Sequence, residues 1–430
     1  MPITERSTAI KALALAAAVF GASGSASAGT LVIDSWRVDD KAVWESVLIP
    51  AFQRSHPDIT VRFSPTAPTE YDGALAERLA AGSAGDLVAC RPFDASLALY
   101  KKGYLERLDG KSGMQNFSQA AQLAWQLDDG SATFCMPVAS VIHGFLYNKA
   151  VFRKLDLQPP RTVDDFFKVL EVLKKAGVAP LALGTADQWE ASQIVYTNIG
   201  PNFWGGEAGR AALISGRARF TDAPYVDALR FEAKMGGYLG KGAASQGYRD
   251  SQAQFAAGRA AIYPTGSWDI AYFSAFPSLE LGAFAPPVPR AGQPCFISDH
   301  MDLGLGVNKK SKNKEDAWRF LAWVGSQEFA DLYTNRLTGF FTLSNHLIAV
   351  RDPLAKQMAE WRKSCASTIR INAQVLNRGQ PPMERELWDV NAQVLAGSLA
   401  PEAGAARLQA GFAKWYKPQQ ANQQTDRRDK

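Results

Sequence analysis

The feature that most constrains this chain is the alternation of two hydrophobic periods across residues 31–102. A short, apolar, β-compatible run at 31–35 ends in Trp36-Arg37-Val38-Asp39-Asp40. Behind it Val43, Val47, Ala51 and Phe52 recur at helical spacing, Trp44 and Leu48 widen the apolar face, and His56-Pro57 stops the helix. Residues 59–63 alternate as a second strand, and Thr69 follows the rigid Pro65-Thr66-Ala67-Pro68 loop as the cap of a helix to Ala81. Residues 86–90 form a third strand, followed by Arg91-Pro92-Phe93-Asp94 and a helix to Lys102. This β-α-β-α-β order predicts a parallel, doubly wound sheet with right-handed crossovers, and so an α/β fold. In such sheets ligands bind beyond the carboxyl ends of the strands. Trp36 with Asp39 and Asp40, Glu70 beside Tyr71, and Arg91 with Asp94 are therefore candidate contacts along one edge.

The apolar run at 138–146, interrupted by His143 and Gly144, is long for one strand inside one lobe; it predicts a segment that leaves one lobe and enters another. Thr162 caps a helix through Phe166, Val169, Leu170 and Leu173 to Gly177. A strand at 181–183 follows, and its continuation puts Trp189 and Glu190 at a strand end. The Gly-rich NIGPNFWGGE (198–207) predicts a loop carrying Trp204, and 226–238 and 250–258 predict helices. In GRAAIYPTGSWDIA (258–271), residues 260–263 predict a strand that Pro264 and Gly266 end, with Ser267 capping a helix that starts at Trp268 and faces the ligand edge. Further strands are predicted at 281–284, 295–300 and 303–307, the second carrying the Asp299-His300 pair. Asn313 and Ser326 then cap two helices, Gly339-Phe340-Phe341 interrupts, and a helical tail ends in Gln/Asp-rich residues after Pro418.

Residues 1–28 predict a cleaved leader: Arg6 and Lys11 open it, 12–21 are apolar, and Ala26-Ser27-Ala28 gives the cleavage signal. No cysteine follows the cleavage site to carry a lipid, so the expectation is a soluble periplasmic protein. The roughly 400 residues that remain exceed what one hydrophobic core supports, so two lobes are expected. The formal charge of +5 is carried by scattered residues, which argues against a nucleic-acid partner. Four cysteines in an oxidising compartment predict two disulfides; of the three pairings we favour Cys90 with Cys135 and Cys295 with Cys365, because the segments of each pair share a sheet or abut. His56, His143, His300 and His346 stand at no ligand spacing with a cysteine or with each other, so no metal and no cofactor are expected.

The segment order resembles the solute-binding proteins of ATP-binding-cassette importers, specifically the carbohydrate-binding, maltose-binding-protein-like family. AFQRSHPDITV (51–61), AGDLVAC (84–90), FLYNKAVF (145–152), GRAAIYPTGSW (258–268) and LGVNKKSKNKEDAWRFLAWVGSQEF (305–329) carry the resemblance. It implies two α/β lobes joined by crossing strands and closing on a sugar, with a membrane permease as partner and a monomeric state. The implied crossings near Ser140, Ala283 and Ser326 give a first lobe of 29–140 plus 284–325 and a second of 141–283 plus 326–425. In that family a tryptophan matching Trp268 stacks on the sugar, and polar residues matching Asp39, Asp40, Arg91 and Asp94 bind hydroxyls; Trp36, Glu70, Trp189, Glu190 and Trp204 follow by position in variable loops. His143, Asp299 and His300 complete the candidate set.

Indoles cover the C–H faces of a sugar, while carboxylates and guanidinium groups take its hydroxyls. The sequence holds no nucleophile elbow, zinc motif or phosphate loop, so binding without catalysis is expected. The alternatives are an exported glycoside hydrolase with a carboxylate pair, or a binder of an acidic or other non-sugar solute, which Arg91 would serve.

Overall fold

The computed structural model describes residues 29–420, so the predicted leader and the end of the tail lie outside it. Strands β1 (Thr30–Ser35), β2 (Thr60–Pro65) and β3 (Leu87–Cys90) form as the alternation predicts, with β1 parallel to both neighbours. Helices Ile49–Ser55 and Tyr71–Ala81 make the crossovers. Thr69 is not the cap of the second; Glu70 holds that position and no side chain caps it.

The long apolar run is one strand of 13 residues, β4 (Met136–Asn148). The remaining strands are β5 (Ala179–Leu181), β6 (Ala260–Gly266), β7 (Leu281–Phe284), β8 (Phe296–Val307), β9 (Phe341–Thr342) and β10 (Ala366–Thr368). The sheet runs β2-β1-β3-β8-β4-β6-β5, with β7 and β9 also on β4 and β10 on β8. Along β4, residues as far as Ile142 pair with β8, and from His143 onward with β6, then β7. The handover explains why this strand is apolar nearly throughout: both of its halves lie inside a sheet. β8 is likewise continuous where two strands were expected. Its start is held on one side of the molecule by the Phe296 N–H to Asn202 Oδ1 bond of 2.7 Å, and its end pairs with β3.

Three local expectations are corrected. Pro264 lies within β6: β5 accompanies that strand only to Ile262, so Pro264 has a partner strand on one side alone, where proline is tolerated. Ser267 caps no helix; its Oγ accepts from the Ile142 N–H at 3.0 Å and donates to Gly339 O at 2.5 Å, pinning the turn to β4. Residues 201–214 are helical, in Pro201–Trp204 and Gly206–Ile214, with Trp204 buried against Tyr225 at 5.8 Å. The glycines there make room for that indole: a Cβ on Gly200 would stand 2.0 Å from the ring, and one on Gly209 2.1 Å from the Trp204 carbonyl oxygen.

Helix Gln327–Arg336 packs back on Trp44 through Phe329 and Tyr333, with centroids at 6.4 and 6.2 Å. Both favoured disulfides are present, Cys90–Cys135 and Cys295–Cys365, with Cα separations of 6.5 and 4.5 Å. The first straddles β8: a Cβ on Gly306 would lie 2.9 Å from each of its sulfurs. Among the described residues no helix is long and apolar enough to cross a membrane.

Candidate functional site

A cavity of about 110 Å³ opens beyond the ends of β1, β3 and β6. Its wall is made by Trp36, Arg37, Asp39, Pro68, Thr69, Asp72 and Arg91 from the first part of the chain, by Asp302 from β8, and by Trp189, Gln193, Tyr248, Trp268, Arg370, Glu384, Arg385 and Trp388. Four indoles therefore share one cavity with four arginines and four carboxylates, a wall of balanced formal charge.

Each ring is fixed by a neighbour. Arg91 lies over the face of Trp36 at 4.5 Å, and is held there by Asp72 Oδ1 at 2.8 Å and the Pro68 carbonyl at 2.9 Å. Trp268 folds back over Gly266, where a Cβ would stand 1.9 Å from the ring; the Gly-Ser-Trp turn thus owes its glycine to close approach. Behind it His143 meets the indole in an edge-to-face arrangement at 5.0 Å. Trp189 packs on Tyr248 at 5.0 Å, and Arg385 covers Trp388 at 4.5 Å.

Tyr248 is anchored in turn. Its hydroxyl donates to Asp269 Oδ1 at 2.7 Å, Gln252 donates to the same oxygen at 2.8 Å, and Thr265 donates to Oδ2. Burial pushes the Asp269 carboxyl up to about 6, against the pull of these three donors. The folded value lies above the ~3.9 of an unfolded chain, so the fold favours the neutral acid. Its contribution to stability is full below pH ~4 and is lost as pH rises through about 6. We predict that the stability of the wild type relative to Asp269→Asn falls by about 2 kcal/mol between pH 4 and pH 7. Urea denaturation at both pH values measures it; a gap that does not change with pH contradicts it.

Of the sequence candidates, Trp36, Asp39, Arg91, Trp189 and Trp268 line this cavity. The others do not, each for a physical reason. Asp40 is buried against Arg37, accepting from Nε at 2.7 Å and Nη2 at 2.9 Å. Asp94 accepts from Arg378 Nε at 2.7 Å, and the same guanidinium makes two 2.8 Å bonds to Asp128. Glu70 is the exposed N-cap of Tyr71–Ala81. Glu190 is fully buried, so its pKa is raised well above the carboxylate range. Trp204 belongs to the second hydrophobic core, and Asp299 is taken by Arg362 at 2.8 Å. His143 and His300 are buried side by side at 5.0 Å and kept neutral by burial and by the charge of Arg370.

An α/β molecule whose two long strands serve both halves of the sheet, with one polar, indole-lined cavity walled from both, is a two-lobed binding protein. The chain belongs to the bacterial extracellular solute-binding protein family, whose profile matches residues 35–330. It is 24 % identical over 292 residues to the multiple sugar-binding protein of Streptococcus mutans, a match covering 64 % of this chain and 66 % of that one. Among solved structures it resembles a chitin oligosaccharide binding protein (TM-score 0.77, 21 % identity, 90 % of this chain and 98 % of the other). The solute-binding protein RafE in complex with raffinose is similarly close (TM-score 0.75, 20 % identity, 90 % and 100 %). At these identities the structural likeness establishes the shared fold.

Proposed function

We propose that this protein is the sugar-capturing component of an ATP-binding-cassette importer, binding a mono- or oligosaccharide in the cavity and delivering it, unchanged, to a membrane permease. The observation that carries this reading is the convergence of Trp36, Trp189, Trp268 and Trp388 on one cavity whose charges balance. Indole faces cover the C–H surface of a pyranose, and the polar groups between them bind hydroxyls. The sugars named for its relatives point the same way. A leader over 1–28, periplasmic residence and a monomeric state belong to the same proposal.

The lobes would be 29–140 plus 284–325 and 141–283 plus 326–425. Two contacts favour later crossings: the Phe296–Asn202 bond supports a second crossing within β8, and the packing of Gln327–Arg336 on Trp44 supports a third beyond Arg336. Contacts from a ligand to both walls exist only when the lobes are closed, so binding drives closure.

A thermal-shift screen against galactose, xylobiose, diacetylchitobiose, raffinose and stachyose tests the function, because a ligand that binds only the folded state raises the melting temperature. At least one of these sugars should raise it in proportion to the logarithm of its concentration and be recovered intact. No shift with any sugar, or release of a hydrolysis product, contradicts the proposal.

A further inference from the structure

Three residues of the cavity wall carry buried polar atoms with no hydrogen-bond partner among the described residues: Nε of Arg370, Oδ2 of Asp302 and Nε1 of Trp388. Among the described residues Arg370 makes no side-chain hydrogen bond and no ion pair, and Asp302 has only the neutral His300 Nε2 beside it, at 4.0 Å, too far for a hydrogen bond. Yet the charges of Asp302 and Glu384 both act on Arg370. Glu384 and Trp388 are one turn apart on the helix Met383–Leu395, so they share a face. All three side chains line the one cavity.

A guanidinium and a carboxylate that share a cavity without touching leave room for a group that both donates and accepts. Buried polar atoms left unpaired are costly, and native sites reserve them for a partner. A ligand carboxylate would meet Asp302 and Glu384; a ligand ammonium would meet Arg370 and Arg91. A hydroxyl satisfies both sides, accepting from Arg370 and donating to Asp302. The indole N–H of Trp388 supplies a second donor for a neighbouring oxygen.

We infer that Arg370, Asp302 and Trp388 are the specificity-determining contacts of this cavity, and that they select an uncharged polyhydroxy ring over acidic and amino sugars. The inference rests on the sugar-binding reading above and narrows its ligand class.

The test is titration calorimetry of the full-length exported protein, using the tightest neutral sugar of the panel beside glucuronate and glucosamine. The neutral sugar should bind at least about tenfold more tightly than either charged one. Arg370→Gln and Asp302→Asn should each weaken it at least about tenfold, and Trp388→Phe, which keeps a ring and removes the donor, at least about threefold. Asp302→Asn should also reduce the discrimination against glucuronate, which a merely structural role would not do. Trp388→Phe carries the test if a charge variant fails to fold. Unchanged affinity in a folded variant, or a charged sugar bound more tightly than the neutral one, overturns this assignment alone. Binding of no sugar overturns the sugar-binding reading and this inference with it.

Discussion

Trp268→Ala weakens sugar binding at least about tenfold, equivalent to about 1.4 kcal/mol, while the protein remains folded. The ring is held by Gly266 beneath it and His143 behind it, so it meets a ligand already ordered and loses little entropy on binding. On the proposed reading, its removal deletes the apolar surface against which a pyranose face would pack. Truncating a fully buried tryptophan costs about 3–5 kcal/mol of stability; here one side of the ring borders the cavity, so the loss is smaller. Trp268→Phe should retain more affinity than the alanine variant, because a ring still covers part of the same face. Calorimetry on the three proteins decides it, and equal affinities would remove Trp268 from the site.

Replacing both Cys90 and Cys135 with serine destabilises the fold by about 4 kcal/mol, from the loop entropy released to the unfolded chain over a separation of 45 residues. Against total stabilities of about 5–15 kcal/mol, such a loss is a large fraction of the whole. The pair lies at the end of β3 and just before β4; Cys90 precedes Arg91 of the cavity wall but neither cysteine lines it, so sugar affinity should hold at temperatures where the variant is folded. Denaturant titration without reductant measures the effect; an unshifted midpoint contradicts it.

The first half of the wall was legible in the sequence because strand-end geometry carries it. Trp36, Asp39 and Arg91 follow β1 and β3, and Trp268 follows β6, each at a change from period 2 to helical spacing. The second half follows no strand of useful length. Arg370 comes just after β10, which has three residues, and Glu384, Arg385 and Trp388 sit on a helix beside Leu387 and Val390, where an indole at helical spacing reads as core. One local signal was there: Arg385 and Trp388, three apart, place a guanidinium over an indole on one helix face. Three other candidates stand outside this wall. Asp40, Asp94 and Asp299 carry the residue type a sugar needs, but each is paired with an arginine: Arg378 and Arg362 reach Asp94 and Asp299 from elsewhere in the chain, where no local pattern announces them, while Arg37 stands three residues before Asp40.

The contact between Gly306 and the Cys90–Cys135 bridge also sets an order on mutational history. A Cβ at 306 would stand 2.9 Å from both sulfurs at once, so the bonded pair or β8 would have to shift to admit it. Alanine at 306 should thus be harmful in a chain that keeps the bridge and tolerable in one that has already lost it. The glycine and the two cysteines form a linked trio in which the cost of one substitution depends on which came before. A glycine already at that position of β8 makes the bridge easier to gain.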